Sequence, residues 1–196
     1  METKCNDCCR WKWTRKRIDQ LWEPTDVIVD QENNSLIIAN RGNRRVIRWS
    51  LRQNQQEILI DNIHCWGLTM DKYGFIYVSN WWKNEVRRWK IGEVKGKEGK
   101  LVTVGNGQGH KLNQLYSPQS ISVDDKQSIY VSDSWNHRVM KWKKYTKQGI
   151  LVAGGNGEGN KSNQLHGPKG LSFDVEGNLY VADWENNRIQ RFDLIL

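Results

Sequence analysis

Apolar residues in this chain come in short runs, and clusters of Gly, Asn and Asp separate one run from the next. VIVD (27–30), LIIAN (36–40) and RVIRW (45–49) are typical, rich in β-branched and aromatic side chains. Runs of this length and composition, bounded by turn formers, predict strands. No segment sustains a helical period, and Gly and Asn are too dense in the connections for long helices. The second run of each group is nearly continuous in apolar residues, as expected of a strand whose sheet is covered on both faces.

The runs repeat as a unit. A first strand ends in VIVD at Asp30, LTMD at Asp71, ISVD at Asp124 and LSFD at Asp174. The spacings are 71−30 = 41, 124−71 = 53 and 174−124 = 50 residues. After a turn comes LIIAN, IYVSN, IYVSD or LYVAD, then a second turn and RVIRW, EVRRW, RVMKW or RIQRF. QEILI, KLVTV and GILVAG are candidate fourth strands. Four short strands per unit of this length predict the blades of a β-propeller.

The order V-x-D, turn, G-x-[IL]-Y-V-x-D, x-x-N-x-R-[VI]-x-[RK]-[WF], with the entry PKGLSFD from Pro168, resembles the NHL-repeat family of β-propellers. All four copies match over about residues 24–192, the third and fourth most cleanly. The second copy departs from the pattern, with Lys83 and Glu85 where the others carry Asn43/Arg45, Asn136/Arg138 and Asn186/Arg188. The predicted fold is therefore all-β, a propeller of about four NHL-type four-stranded blades near 24–60, 64–104, 118–153 and 168–196. The resemblance implies six blades, so four copies predict an incomplete ring or an open arc. Residues 1–23 form an N-terminal segment expected to supply the outer strand of a preceding or closing blade.

Within each copy the Asx, Asn and Arg positions read as blade construction. Asp133 and Asp183 end second strands, Asn136 and Asn186 sit in the following turns, and Arg138 and Arg188 start the returning strands. Asn40, Asn43 and Arg45 repeat this with a neutral residue for the acid. An Asx side chain is expected to hold the reversal, and the arginine to reach the acid or a neighbouring blade. A set present once per blade suits architecture better than a single active site.

Charge and cysteine content narrow the function. With 30 basic and 22 acidic residues the net charge is +8, which favours polyanionic partners without defining a site. Cys5, Cys8 and Cys9 form CNDCC, one C-x-x-C pair with a third thiol beside it, and Cys65 stands apart; the second pair of a structural zinc site is missing and no histidine lies near. There is no apolar run long enough to span a membrane and no secretory signal, so a cytoplasmic, membrane-free chain is expected. The loops GNGQGHKLNQL and GGNGEGNKSNQL contain glycine-rich turns but open no helix, which argues against phosphate binding there and for flexible blade connections. No nucleophile–base pair and no separate acidic cluster stands out, so no catalytic residue, metal or cofactor is assigned.

Candidate binding residues lie in the turns between second and third strands. Arg41, Trp81, Trp82, Lys83, Trp135, His137 and Trp184 fall there. Tryptophan in such turns either packs on the next blade or forms a recognition rim. The leading expectation is a non-enzymatic module that binds a protein or peptide through this loop face. The resemblance implies a place in ubiquitin-ligase-type assemblies, as an adaptor. RNA binding by a basic, tryptophan-rich face is the alternative, although Arg87, Arg88, Lys141 and Lys143 are predicted nearer the other rim. A metal-dependent, lactonase-like hydrolase is a third reading, and self-association is expected if the ring is incomplete.

Overall fold

The computed structural model describes residues 17–94, 96–103 and 107–194. Four antiparallel meanders follow one another along the chain. The first holds β1 (Pro24–Asp30), β2 (Ser35–Asn40), β3 (Arg45–Ser50) and β4 (Gln55–Ile60), and the second β5 (Cys65–Met70), β6 (Phe75–Asn80), β7 (Glu85–Lys90) and β8 (Lys100–Leu101). The third holds β9 (Pro118–Val123), β10 (Ile129–Asp133), β11 (Arg138–Trp142) and β12 (Ile150–Gly154). The fourth has three strands among the described residues, β13 (Pro168–Phe173), β14 (Leu179–Asp183) and β15 (Arg188–Phe192). These are blades in a β-propeller arrangement, and among the described residues no strand pairing closes it into a ring. The predicted N-terminal strand falls largely on residues outside those described; residues 17–23 are turn and bend.

The aspartate that closes each first strand explains the turn after it. Asp71 Oδ1 accepts from the N–H groups of Tyr73 and Phe75, and Asp124 and Asp174 repeat this with Lys126/Ser128 and Glu176/Asn178. These Asx turns fix the first hairpin and so the register of the strands that follow.

Blades are held together by their faces. One core joins Ile37, Ala39 and Val46 of the first blade to Leu68, Ile76 and Trp89 of the second. Another gathers Tyr77 and Val86 with Leu115, Ile121, Val131 and Trp142. The third packs Val139 and Ala153 against Leu165, Leu179 and Val181. Each such aliphatic side chain contributes about 1.5–3 kcal/mol on burial. Single polar bonds cross the same seams. Leu68 N–H donates to Asp26 Oδ2 at 2.7 Å, Ser79 Oγ–H to the Gln119 carbonyl at 2.6 Å and Ser132 Oγ–H to the Lys169 carbonyl at 2.8 Å. Cys65 lies in the first seam, where burial pushes its thiol up to about 12. The other three cysteines lie outside the described residues.

The two ends of the arc differ from the middle. Strands β2, β6 and β10 are almost wholly buried, whereas β14 alternates between buried and half-buried, because no blade covers its outer face among the described residues. Val27 and Val29 of β1 and Ile189 of β15 are exposed for the same reason.

Candidate recognition rim

Each second strand leads into a one-turn 3-10 reversal, Arg41–Asn43, Ser134–Asn136 or Trp184–Asn186, with a plain turn at Trp81–Asn84 in the second blade. The residue leaving the reversal is left-handed in every blade: Arg44, Asn84, His137 and Asn187 have φ between 50° and 54°. The backbone closes the reversal itself, as in Arg44 N–H to the Arg41 carbonyl at 2.9 Å and His137 N–H to Ser134 at 3.2 Å.

The Asx side chain, expected to hold that reversal, does something else in three blades. Asp133 Oδ1 accepts from Tyr116 N–H at 2.6 Å, Asp183 from His166 N–H at 2.6 Å, and Asn40 from Trp22 N–H at 2.9 Å. Each partner belongs to the segment entering the same blade, so the side chain fastens the incoming connection. Arg138 completes the anchor: Nε donates to Asp133 Oδ2 at 2.7 Å, and its terminal nitrogens reach the carbonyls of His110, Lys111 and Gln114. Asn136 ties Asp133 to the Gly109 carbonyl. Arg188 and Asn186 bind Asp183 and the carbonyls of Gly159, Asn160, Lys161 and Gln164 in the same way. Arg45 and Asn43 hold Arg17 and Gln20. The glycine-rich connections, expected to be flexible, are thus pinned by charge-assisted bonds from the blade they enter.

The second blade explains its own departure from the pattern. Its entry is the short link Asp61–His64, which presents no long loop to clamp. Asn80 Oδ1 here accepts from Lys83 N–H at 3.1 Å, the reversal bond expected in the other blades. Buried Glu85, in the arginine position, pairs with Arg87 at 2.7 Å.

Burial and hydrogen bonding pull the two aspartate anchors in opposite directions. Desolvation raises Asp133 above the usual carboxylate range against the pull of Tyr116 N–H and Arg138. Asp183 sits in the open terminal blade, where desolvation acts the same way but the bonds from His166 N–H, Asn186 and Arg188 prevail and hold it low.

The predicted binding residues form three stations along one rim. At the first, Trp81 and Trp82 meet edge to face with centroids 5.7 Å apart, and His64 stacks on Trp82 at 5.6 Å. The Arg41 guanidinium covers Trp66 at 4.7 Å and Trp81 at 5.2 Å. At the second, Trp135 lies 5.4 Å from Tyr116. At the third, Lys169 Nζ stands 3.5 Å over the Trp184 ring. Trp82, Trp135 and Trp184 are 65%, 61% and 55% exposed, while Trp81 is half-buried. Lys83 is exposed beside the first station.

His137 stands between the last two blades. Its Nδ1 accepts from Gly167 N–H at 3.2 Å, as Asn84 Oδ1 accepts from Ser117 N–H at 2.7 Å one blade earlier. Its ring meets His166 at 5.4 Å, and Glu158 approaches both imidazoles. Burial holds His137 below the ordinary histidine value, with His166 adding to the effect and Glu158 and Asp183 opposing it. Sequence reading missed Tyr116, His64, His166, Trp66 and Lys169. One signal was available: Trp22, Tyr116 and His166 each stand two residues before the proline that opens a blade.

The NHL repeat model matches residues 115–142 and 165–192, the segments that hold the Asp133 and Asp183 anchors. No curated protein sequence matches the chain. Among solved structures, a gluconolactonase from Xanthomonas campestris superposes with a TM-score of 0.72 at 18% identity, covering 90% of this chain and 60% of that one. A chain of a nidogen/laminin complex gives 0.69 at 17% identity, with 89% and 60% covered. Virginiamycin B lyase from Staphylococcus aureus gives 0.57 at 9% identity, with 95% and 59% covered. The chain spans about half to three fifths of the length of the structures it matches. These likenesses establish the fold.

Proposed function

We propose, from the NHL-type β-propeller fold that this chain has, that it is a non-enzymatic recognition module whose aromatic rim binds a protein or peptide. The observation that carries the reading is the exposure of three indoles, Trp82, Trp135 and Trp184, on one rim of a scaffold that anchors their turns. Large, stiff aromatics with a polar edge are the side chains that concentrate binding energy at interfaces. The nidogen/laminin likeness supports a binding role for the architecture. The gluconolactonase and lyase likenesses, at 18% and 9% identity, rest on the same fold alone.

The test is direct. Peptides selected on the wild-type protein from a random display library are titrated against Trp82→Ala, Trp135→Ala and Trp184→Ala. Loss of about thirtyfold in affinity in at least one variant, the roughly 2 kcal/mol of an aromatic hot spot, is expected. Ligands indifferent to all three substitutions would refute the rim. Service as an adaptor in a ubiquitin ligase rests on the resemblance alone, and it requires a second contact, to a ligase subunit, that copurification would reveal.

RNA is the second reading, favoured by the lysine that covers Trp184 and by Lys83 beside Trp82. Base stacking with flanking cations is a recurrent mode of single-strand binding. Affinity for an oligonucleotide that falls steeply with salt and weakens in Trp82→Ala would favour it over a peptide.

A further inference from the structure

The rim opposite the tryptophans carries a different kind of site. In the outer cleft between the second and third blades lies a cavity of about 220 Å³. Arg88, Lys100, Lys143 and Lys144 line it, with Tyr77 and Tyr145, and no carboxylate does. Turn residues Lys143 to Thr146 join β11 to β12, at the end of the strands away from the 3-10 reversals.

The repeat shows what is unusual here. Arg48, Arg88, Lys141 and Arg191 hold one register position, each opposite Ile37 or its counterparts Tyr77, Tyr130 and Tyr180. Three of them have an acid. Arg48 reaches Glu57 at 2.9 Å and Asp30 at 3.4 Å, Lys141 reaches Asp124 at 3.8 Å and Arg191 reaches Asp193 at 2.8 Å. Arg88 has none among the described residues. Asp71, the counterpart of Asp30 and Asp124, is already taken up by Tyr73 N–H, Phe75 N–H, Tyr77 Oη–H and Gln127 Nε2–H. Arg88 keeps a 3.4 Å contact to Tyr77 Oη and lies over the Phe75 ring at 4.6 Å, and its Nε is buried without a partner. Lys100, Lys143 and Lys144 likewise have no carboxylate partner among the described residues. Four like charges around one cavity, one of them held by Tyr77 and Phe75 of its own blade, await an anion.

We propose that this cleft binds a phosphate group carried by a ligand with a planar ring. Arg88 supplies the fixed guanidinium fork that suits a phosphate, and the lysines close on it as mobile point charges. Tyr145 is 78% exposed between Lys100 and Lys144, at 5.9 and 5.1 Å, and offers an open ring face beside the charge. A nucleoside monophosphate and one unit of a single-stranded nucleic acid share this chemistry, with the phosphate on Arg88 and the base on Tyr145.

The test uses the full chain and three probes at matched ionic strength of about 50 mM, where phosphate contacts are strongest. The probes are inorganic phosphate, uridine monophosphate and an oligouridylate. Binding of uridine monophosphate is expected, weakened about tenfold or more by Arg88→Met and by the paired substitution Lys143→Ala/Lys144→Ala, the loss typical of removed charge-assisted bonds. Arg52→Ala, in a turn of the first blade, is the control and leaves binding unchanged. The lysine pair is exposed, so its loss of binding cannot be ascribed to misfolding. Tighter binding of the oligouridylate, lost in Tyr145→Ala, identifies the strand as the source; equal affinity identifies the free nucleotide. Binding of inorganic phosphate alone would overturn the ring contact, and no binding of any probe, or binding untouched by both variants, would overturn the site. None of these residues belongs to the tryptophan rim, so either site can fail without the other.

Discussion

Arg138 and Arg188 make the same bonds, but they differ in cover. Arg138 is 9% exposed and Arg188 30% exposed, each over a fully buried aspartate. Removing one partner of a buried pair strands the other charge and leaves several carbonyls unmatched. Arg138→Ala is therefore expected to lower the unfolding free energy by about 3 kcal/mol. Arg188→Ala is expected to cost less, about 1–2 kcal/mol, since its guanidinium is more exposed and water reaches the freed carbonyls of Asn160 and Lys161. Urea denaturation of both variants checks the order; equal losses would mean the anchors are equivalent.

His137 and His64 give the fold a pH dependence at the same scale. Both sit below the ordinary histidine value of 6.5, His64 through burial and the nearby Arg44 and Arg41. The unfolded chain then takes up protons first as the pH falls. Stability is whole above about 6.5 and declines below it, until the folded pKa values are passed. Asparagine already performs the acceptor role at position 84. His137→Asn is accordingly expected to keep the bond to Gly167 and flatten the acid side of the thermal-stability profile. A profile of unchanged slope would show that Glu158 and Asp183 cancel the effect of burial.

At the scale of the element, blade spacing is set by small residues and by single polar bridges. Gly67 on β5 faces β9, and a Cβ added there would press into the Gln119 carbonyl, backbone that cannot swing aside. Ser79 bridges the same point, accepting from Gly67 N–H and donating to Gln119. Gly67→Ala is expected to destabilise by about 1–3 kcal/mol, the cost of overpacking, as read by thermal unfolding. A neutral outcome would mean the second and third blades separate more easily than their packing suggests. The second blade also shows how far one motif can drift: with a short entry to hold, the arginine anchor is dispensable and Glu85 turns to Arg87.

At the scale of the molecule the four described blades do not close on one another, and one register position reports on it. Val46, Val86 and Val139 are fully buried at that position, each under the next blade, whereas Ile189 is 66% exposed. Val139→Lys would bury an unpaired charge and is expected to unfold the protein or cost more than about 3 kcal/mol. Ile189→Lys is expected to stay within about 0.5 kcal/mol of wild type by chemical denaturation. A severe effect of Ile189→Lys would instead reveal that another surface covers the last blade in solution.

The sequence by itself determined the strands, the four blades and the residues that build them, because period, turn chemistry and anchor residues are local and recur. Asp133, Asn136 and Arg138 could be read as construction from their recurrence along the chain and from Asx and arginine chemistry. What they hold, a connection 17 to 28 residues upstream, could not, because Arg138 and Gln114 meet only when the chain returns to them. The tryptophans were readable as a set, but their division into three stations with His64, Tyr116 and Lys169 was decided by the segment that enters each blade and folds back beside its reversal. The same holds for Arg88: its lack of an acid is visible only in three dimensions, where the hydrogen bonds of Asp71 are already spent on other groups. Tertiary structure decides these matters because pairing and exposure depend on which entry segments and which side chains of adjacent blades come to lie together, and no run along a single strand records that.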